Sequence, residues 1–341
     1  MRNKIKVLIV DDSFLFRQTL AEEIAKDSGI EVVGTAENPF VARDKILELK
    51  PDVVTLDVEM PKMNGITFLK KLMPQYPLPI VVISSVEQNV FDALSAGAVD
   101  FVVKPSNKTA IDSFINELIV KIKIASTAKV GQHKTNYERS KVLTTNKVDK
   151  SDIIIAIGAS TGGTEAVESI LKAFPQDMPG ILMVQHMPPV FTKMFSERLN
   201  RTCRLEVKEA ENGDLVKPGR VLVAPGDFHM KLVKRPSGFS VNCFKGEKVS
   251  GHCPSVDVLF NSVAEAAGGK AIGVILTGMG SDGAKGLLNM KKKGAYTIGQ
   301  DEKTSVVYGM PMVAFNIGAV NKQLSLEKIP QHICDYLSLK V

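Results

Sequence analysis

Residues 152–174 read DIIIAIGASTGGTEAVESILKAF: an apolar run rich in Ile, a turn of small residues, then apolar positions at helical spacing. A short β-branched run bounded by glycine argues for a buried strand, and the longer period that follows argues for a helix. The alternation recurs through the second half, in GILMVQH (180–186) with FTKMFSERLNR (191–201), and in AIGVILT (271–277) with GAKGLLNMKKKG (283–294) and AYTIGQD (295–301). Strands separated by helices form a parallel sheet covered on both faces. Between these units, residues 204–244 carry short alternating runs broken by NGD, KPG, APGD and RPSG, which predict antiparallel hairpins. Residues 1–124 follow the parallel rule, with IKVLIV, IEVVGTA, DVVTLDV, PIVVISS and DFVVKP as five strands. The predicted fold is α/β with two doubly wound domains. One is a five-stranded parallel domain over 1–124; the other, over 151–341, is larger, mostly parallel, and carries the antiparallel hairpin insertion. Residues 125–150, poor in large apolar groups, are predicted to be a flexible basic linker.

The length of 341 residues accommodates two such domains, each with its own core. A hydrophobic fraction of 44% with 23% charged residues is that of a soluble globular protein. The start, MRNKIKVLIVDD, has a short apolar run that ends in acids, which excludes a signal peptide and a membrane span. A cytoplasmic protein with no direct membrane insertion is expected. The cysteines at 203, 243, 253 and 334 show no C-x-x-C spacing and are expected to be inert thiols. Positive charge is densest in residues 125–150, with six basic and two acidic residues. A solvated linker accounts for this better than a nucleic-acid footprint does, so no nucleic-acid partner is expected.

In a doubly wound sheet, ligands collect at the carboxyl ends of the strands. In the first domain those ends carry Asp11 and Asp12, Asp57, Ser84 and Lys104, the last preceding Pro105 in a cis-prone step. Three carboxylates at one edge repel each other unless a divalent cation sits among them, and Mg²⁺ suits a few carboxylates plus phosphate oxygens. Any one of these residues alone reads as a cap or a solvated charge; the full set at successive strand ends does not. The stretch resembles the receiver domain of two-component response regulators over its whole length. The resemblance implies Asp57 as phospho-acceptor, with Asp12, Asp57 and the backbone of Glu59 on Mg²⁺ and Asp11 supporting that site. It further implies Lys104 and Ser84 as phosphoryl contacts and Phe101 as the aromatic switch residue.

The second half is then the output. A DNA-binding module needs a recognition helix and a basic face, and no helix-turn-helix is evident. Two chemistries remain. GMGSDG (278–283) follows a strand and matches G-x-G-x-x-G, with Asp301 where a ribose-binding acid would lie, as in a dinucleotide cradle. Against this, Asp282 would bring negative charge to a pyrophosphate, and the motif comes late in the domain. Alternatively GASTG (158–162) matches G-x-S-x-G, the turn that exposes a nucleophilic serine. Ser160 then needs a base and an orienting acid, for which His186 and Asp282 lie at strand ends on the same edge. His229 and His252 are competing bases that spacing does not exclude.

IGASTGGTEAV, QHMPPVFT, KEAENGDLVKPGRVLVAPGDFHM, CPSVDVLFNSVA, VILTGMGSDGAKGLLNM and QDEKTSVVYGMP run in order through residues 152–320. Together they resemble the catalytic domain of the bacterial chemotaxis protein-glutamate methylesterases, a family that also has a preceding receiver. The resemblance implies a Ser160–His186–Asp282 triad, an oxyanion-hole N–H from Met279, and a positioning role for Thr161. It implies hydrolysis of glutamate γ-methyl esters on methyl-accepting chemotaxis receptors, with deamidation of receptor glutamines, and a chemotaxis histidine kinase as phosphodonor. No metal is expected at the triad, and a monomer is expected. The sequence departs from the family at Cys253, where Arg is common after the histidine.

Overall fold

Runs of Val, Ile and Leu become strands wherever both sheet faces are covered. In β1 (Ile5–Val10) the last four residues are buried, and all five of β3 (Val53–Asp57) and of β4 (Ile80–Ser84) are buried. The computed structural model describes residues 4–105, 110–131 and 152–339, and the chain divides into two units, Met1–Lys134 and Thr135–Val341. With β2 (Ile30–Ala36) and β5 (Asp100–Val103) the first unit forms a parallel sheet in the order β2-β1-β3-β4-β5. Its helices are α1 (Phe14–Ile24), α2 (Pro39–Leu49), α3 (Gly65–Leu72), α4 (Glu87–Ser95) and α5 (Ile111–Ala125). Side chains start three of them: Ser13, Asn38 and Asn64 accept from the first-turn N–H groups of α1, α2 and α3. Ala125 is the last residue of α5, and residues 132–150 of the expected linker lie outside the described residues.

The second unit begins with β6 (Ile154–Ala159), α6 (Gly163–Ala173), β7 (Gly180–Gln185) and α7 (Phe191–Thr202). Short strands follow: β8 (Glu206–Glu209), β9 (Leu215–Val216), β10 (Arg220–Val223), β11 (His229–Arg235) and β12 (Gly238–Phe244). The chain then runs through α8 (Val256–Ala266), β13 (Ala271–Ile275), α9 (Ala284–Lys292), β14 (Tyr296–Gln300), α10 (Met310–Asn316), β15 (Lys322–Leu324) and α11 (Ile329–Leu339). Seven strands make one parallel sheet, β15-β14-β13-β6-β7-β10-β8, and β11-β12-β9 form a separate antiparallel sheet.

The hairpin reading of residues 204–244 holds only in part. β8 and β10 pair parallel to one another and extend the main sheet beyond β7. The run RVLV is buried at three of its four positions, as a strand covered on both faces must be. Turn residues in NGD and KPG mark reversals of the chain but do not choose the partner, and β9 between them pairs with β12 instead. Helix α8 packs between the main sheet and β11. A second difference concerns proline: the cis peptide bond among the described residues is Cys253–Pro254, not Lys104–Pro105.

Phe260 on α8 is wholly buried in the cluster formed with Leu182, Val184, Leu222, Val256 and Met290. Phe260→Ala is expected to lower the stability of the second unit by about 3–5 kcal/mol, the cost of losing a large buried ring and leaving a cavity. Urea denaturation of the full chain checks this, with the transition of the first unit staying in place.

Candidate active site

In the first unit the strand ends converge as expected. Carboxylate oxygens of Asp11, Asp12 and Asp57 lie within 4.8 Å of one another, Asp11 and Asp57 buried and Asp12 exposed. Lys104 Nζ is 2.6 Å from Asp57 Oδ2 and 3.1 Å from Asp11 Oδ2. Burial pushes the Asp57 carboxyl up to about 6 against the pull of Lys104, with Asp11 adding repulsion. Burial would lower the Lys104 pKa, but its bonds to the two carboxylates hold it above the usual lysine value. Three carboxylates against one ammonium leave a negative, oxygen-only cluster, which fits a hard divalent cation.

Two expected residues are arranged differently from a simple phosphoryl cradle. Ser84 Oγ lies 2.7 Å from Glu59 Oε1 and accepts from Val86 N–H at 3.1 Å. The Glu59 carboxylate also accepts from Ser85 N–H at 2.9 Å and from the Asn89 amide at 3.2 Å. Burial alone would raise its pKa, but these bonds hold it below the ordinary value. Glu59 touches Asp57 only through its backbone N–H, at 3.1 Å from Oδ1. Phe101 is buried on β5, with Lys121 Nζ 4.7 Å from its ring centroid.

In the second unit Ser160 follows β6. Its N–H donates to Thr277 O at 3.0 Å, and its carbonyl accepts from Gly163 N–H at 2.7 Å, which closes a tight turn into α6. Gly162 takes φ +75°, a left-handed conformation that costs glycine little. Gly163 meets a different demand, since a Cβ there would stand 2.2 Å from Gln185 Oε1 and 2.7 Å from Ala159 Cβ. His186 follows β7, and its N–H donates to Ala159 O at 3.1 Å, so Ser160 and His186 leave adjacent strands side by side.

The acid comes from the loop after β13. Asp282 Oδ2 is 2.8 Å from His186 Nε2 and accepts from Val256 N–H at 2.7 Å, while Oδ1 accepts from Ser255 Oγ at 2.8 Å and Asp257 N–H at 3.0 Å. The carboxylate therefore sits on the N-terminus of α8, where unpaired N–H groups and the helix dipole favour an anion. Burial acts to raise its pKa, but the bonds to His186 and the helix hold it below 3.8.

The three candidate bases separate cleanly. His229 uses both nitrogens in the fold, Nδ1 accepting from Ser255 N–H at 3.2 Å and Nε2 lying 2.9 Å from Glu247 O. His252 stacks on His186 with ring centroids 3.7 Å apart and planes 11° from parallel. Burial, then the neighbouring His186, pushes its pKa down to about 4, so it is neutral at pH 7. Of the three, His186 has one nitrogen on Asp282 and the other, Nδ1, buried without a partner among the described residues. Ser160 Oγ makes no hydrogen bond among the described residues. Catalytic pairs of this kind often close only when substrate is bound.

The dinucleotide reading of GMGSDG loses its ribose-binding acid, Asp301, and the carboxylate that already spoke against it, Asp282, is engaged elsewhere. Asp282 is committed to His186 and α8, and Asp301 Oδ1 accepts from Thr304 N–H at 2.9 Å and Oγ1 at 2.6 Å, closing a turn rather than facing a ribose.

Residues 7–116 match the response regulator receiver domain family, and residues 155–333 match the CheB methylesterase family. A protein-glutamate methylesterase/protein-glutamine glutaminase of Syntrophomonas wolfei is 60% identical over 331 residues, covering 96% of either chain. The chain belongs to the CheB methylesterase family. A Salmonella typhi protein with the same descriptive name is 45% identical over 98% of either chain. The Thermotoga maritima CheB methylesterase catalytic domain superposes with a TM-score of 0.53 at 42% identity, covering 54% of this chain and 98% of that one.

In this CheB-family enzyme Met279 is 42% exposed at the tip of the Asp282 loop, and its N–H donates to no group among the described residues. Cys253 is partly buried, and burial with nearby Asp227 raises its thiol pKa, so it is a neutral group beside His252. Burial likewise pushes the Cys203 and Cys243 thiols up to about 11, in keeping with inert thiols. Among the described residues no helix is long and apolar enough to cross a membrane. Sequence reasoning missed Ser255, Gln185 and the stacking role of His252. Of these only Ser255 left a legible sign, a serine directly before an apolar helical run.

Ser255→Ala removes both the N-cap of α8 and a donor to Asp282. The expected cost is about 1–2 kcal/mol of stability in urea titration. A loss of ester hydrolysis of roughly tenfold, about 1.4 kcal/mol in the barrier, is expected alongside it.

Proposed function

We propose that the protein is a phosphorylation-activated hydrolase that removes γ-methyl esters from glutamates of methyl-accepting chemotaxis receptors and deamidates receptor glutamines. One observation carries the reading: His186 holds Asp282 through Nε2 while its buried Nδ1 stays free beside the Ser160 turn. In the familiar triad the acid binds Nδ1 and Nε2 serves the nucleophile. Here the two nitrogens exchange roles. Ser160 Oγ attacks the ester carbonyl and gives its proton to Nδ1, and Asp282 stabilises the resulting imidazolium. The oxyanion is received by Met279 N–H together with N–H groups at the start of α6, with Thr161 helping to position the serine. The proton on Nδ1 then passes to departing methanol, or to ammonia when glutamine is the substrate. Water, activated by the same nitrogen, resolves the acyl-enzyme to free glutamate.

The receiver supplies control. Asp57 accepts the phosphoryl group from a chemotaxis histidine kinase, with Asp11, Asp12, Asp57 and the Glu59 backbone holding Mg²⁺. Bound there, Mg²⁺ neutralises phosphoryl charge during transfer. Lys104 already pairs with Asp57 and is placed to follow its charge, while Ser84 reaches a phosphoryl group only by leaving Glu59. Burial of Phe101 beneath Lys121 supports it as the switch residue. Activation by about tenfold needs only about 1.4 kcal/mol of differential stability between two arrangements of the chain. The proposal includes a monomer acting in the cytoplasm, with a receiver over 1–124, a linker over 125–150 and a catalytic domain over 151–341.

Methanol release from methylated receptor membranes tests the reading. Wild type is expected to release methanol faster when a small phosphodonor and Mg²⁺ are added. Ser160→Ala should fall by at least ~10³-fold under both conditions. Asp57→Asn should keep the basal rate and lose the stimulation, and chelation of Mg²⁺ should have the same effect on wild type. Full activity of Ser160→Ala would refute the triad, and stimulation of Asp57→Asn would refute the assigned phosphorylation site.

A further inference from the structure

Strands β6 and β7 run in register as far as Ala159 and Gln185, and the last bond of that ladder is from His186 N–H to Ala159 O. Beyond it the two chains part, because Ser160 turns its N–H to Thr277 O on the opposite side. The side chain of Gln185, only 3% exposed, spans the fork. Its amide nitrogen donates to Ser160 O at 3.0 Å and to His186 O at 3.2 Å. One NH₂ group thus uses its two hydrogens on the carbonyls of two residues that carry the proposed chemistry. The orientation of the amide is fixed by its partners, since the flipped form would set Oε1 against two carbonyl oxygens.

That arrangement is not the one stability alone would favour. Gln185 Oε1 is buried and meets no donor among the described residues, and an amide oxygen left unmatched by the protein in the interior is destabilising. The chain also keeps a bare Cα at Gly163, where any Cβ would strike that oxygen. An apolar side chain would fill the space without either demand, but it would leave the two carbonyls unlinked.

We infer that Gln185 is a positioning residue that sets the spacing between Ser160 Oγ and His186 Nδ1 by tying together the backbones that carry them. The inference rests on the triad proposed above. Peptide bonds and the β6–β7 ladder hold each residue on its own strand; the amide adds the one link between the two carbonyls past the end of the ladder. A loosened fork lets nucleophile and base drift apart while the receptor-binding surface stays as it was. The loss therefore falls on kcat and not on KM.

The experiment uses the full chain with Gln185→Met, which keeps length and loses both donors, and Gln185→Glu, which keeps shape and sets a carboxylate against the two carbonyls. Methanol release from methylated receptor membranes gives kcat and KM. The rate of Ser160 labelling by a fluorophosphonate reads the nucleophile without receptor, and thermal melting reads the fold. In Gln185→Met, kcat and the labelling rate are expected to fall roughly 10- to 100-fold, with KM within about twofold of wild type and melting unchanged or higher. Gln185→Glu is expected to fall further in both rates. Should Gln185→Met destabilise the fold, labelling measured well below its melting point still decides the matter. A kcat and labelling rate within about threefold of wild type in either folded variant would overturn the strap, as would a loss confined to KM. Ser160→Ala, run in parallel, separates the two failures: activity retained there overturns the triad itself, whereas activity abolished there but kept in Gln185→Met overturns only the role of Gln185.

Discussion

The carboxylate of Asp282, seated on the N-terminus of α8, is the fixed point from which the second unit's chemistry is arranged. Ser255 Oγ and the N–H groups of Val256 and Asp257 satisfy it, and His186 Nε2 completes the set. A buried carboxylate is tolerable only when its charge is met in this way. The helix therefore has to be brought to the acid, and the fold does so by packing α8 between the main sheet and β11. His229 braces the same corner from below, through Ser255 N–H on one nitrogen and the Glu247 carbonyl on the other. Three separate stretches of chain converge on one charge.

With the acid fixed, the orientation of the base follows. His186 leaves β7 beside Ala159, and its ring turns Nε2 toward Asp282, which leaves Nδ1 unpaired among the described residues, as the proposed triad requires. The stacked ring of His252 bounds the imidazole on one face. Because burial keeps His252 neutral, it adds no positive charge beside His186. In the proposed triad the roles of the ring nitrogens are reversed relative to the familiar template.

The first unit solves the opposite electrostatic problem. There, three carboxylates are gathered at a strand edge, Asp11 and Asp57 accept from the N–H groups of Ser13 and Glu59, and Lys104 offsets only part of their charge. Burial, with repulsion from Asp11 adding a smaller part, raises the pKa of Asp57 against the pull of Lys104. Such a surplus suits the cation and phosphoryl group proposed for this site, whereas the satisfied Asp282 suits the role proposed for it beside His186. The same residue type is tuned to two tasks by what surrounds it.

Much of this was legible in the sequence, because strand and helix periods differ and parallel strands bring their carboxyl ends to one edge. Asp11, Asp57 and Lys104, and likewise His186 and Asp282, could be grouped from strand ends alone. The runs of Val and Ile determined the existence of the strands, including RVLV, but not the neighbour of each. Pairing is decided by which faces must be covered, so β8 and β10 joined the parallel sheet while β9 crossed to β12. Nor could spacing choose among His186, His229 and His252, since the choice depends on which ring nitrogen remains free after packing. The bond from Gln185 to the Ser160 carbonyl, and the hold of Glu59 on Ser84, are likewise contacts between groups far apart in the chain. Sequence pattern records which residues face a core or an edge. Hydrogen-bond partners across the chain are settled only when the tertiary fold brings donors and acceptors within three ångströms of each other.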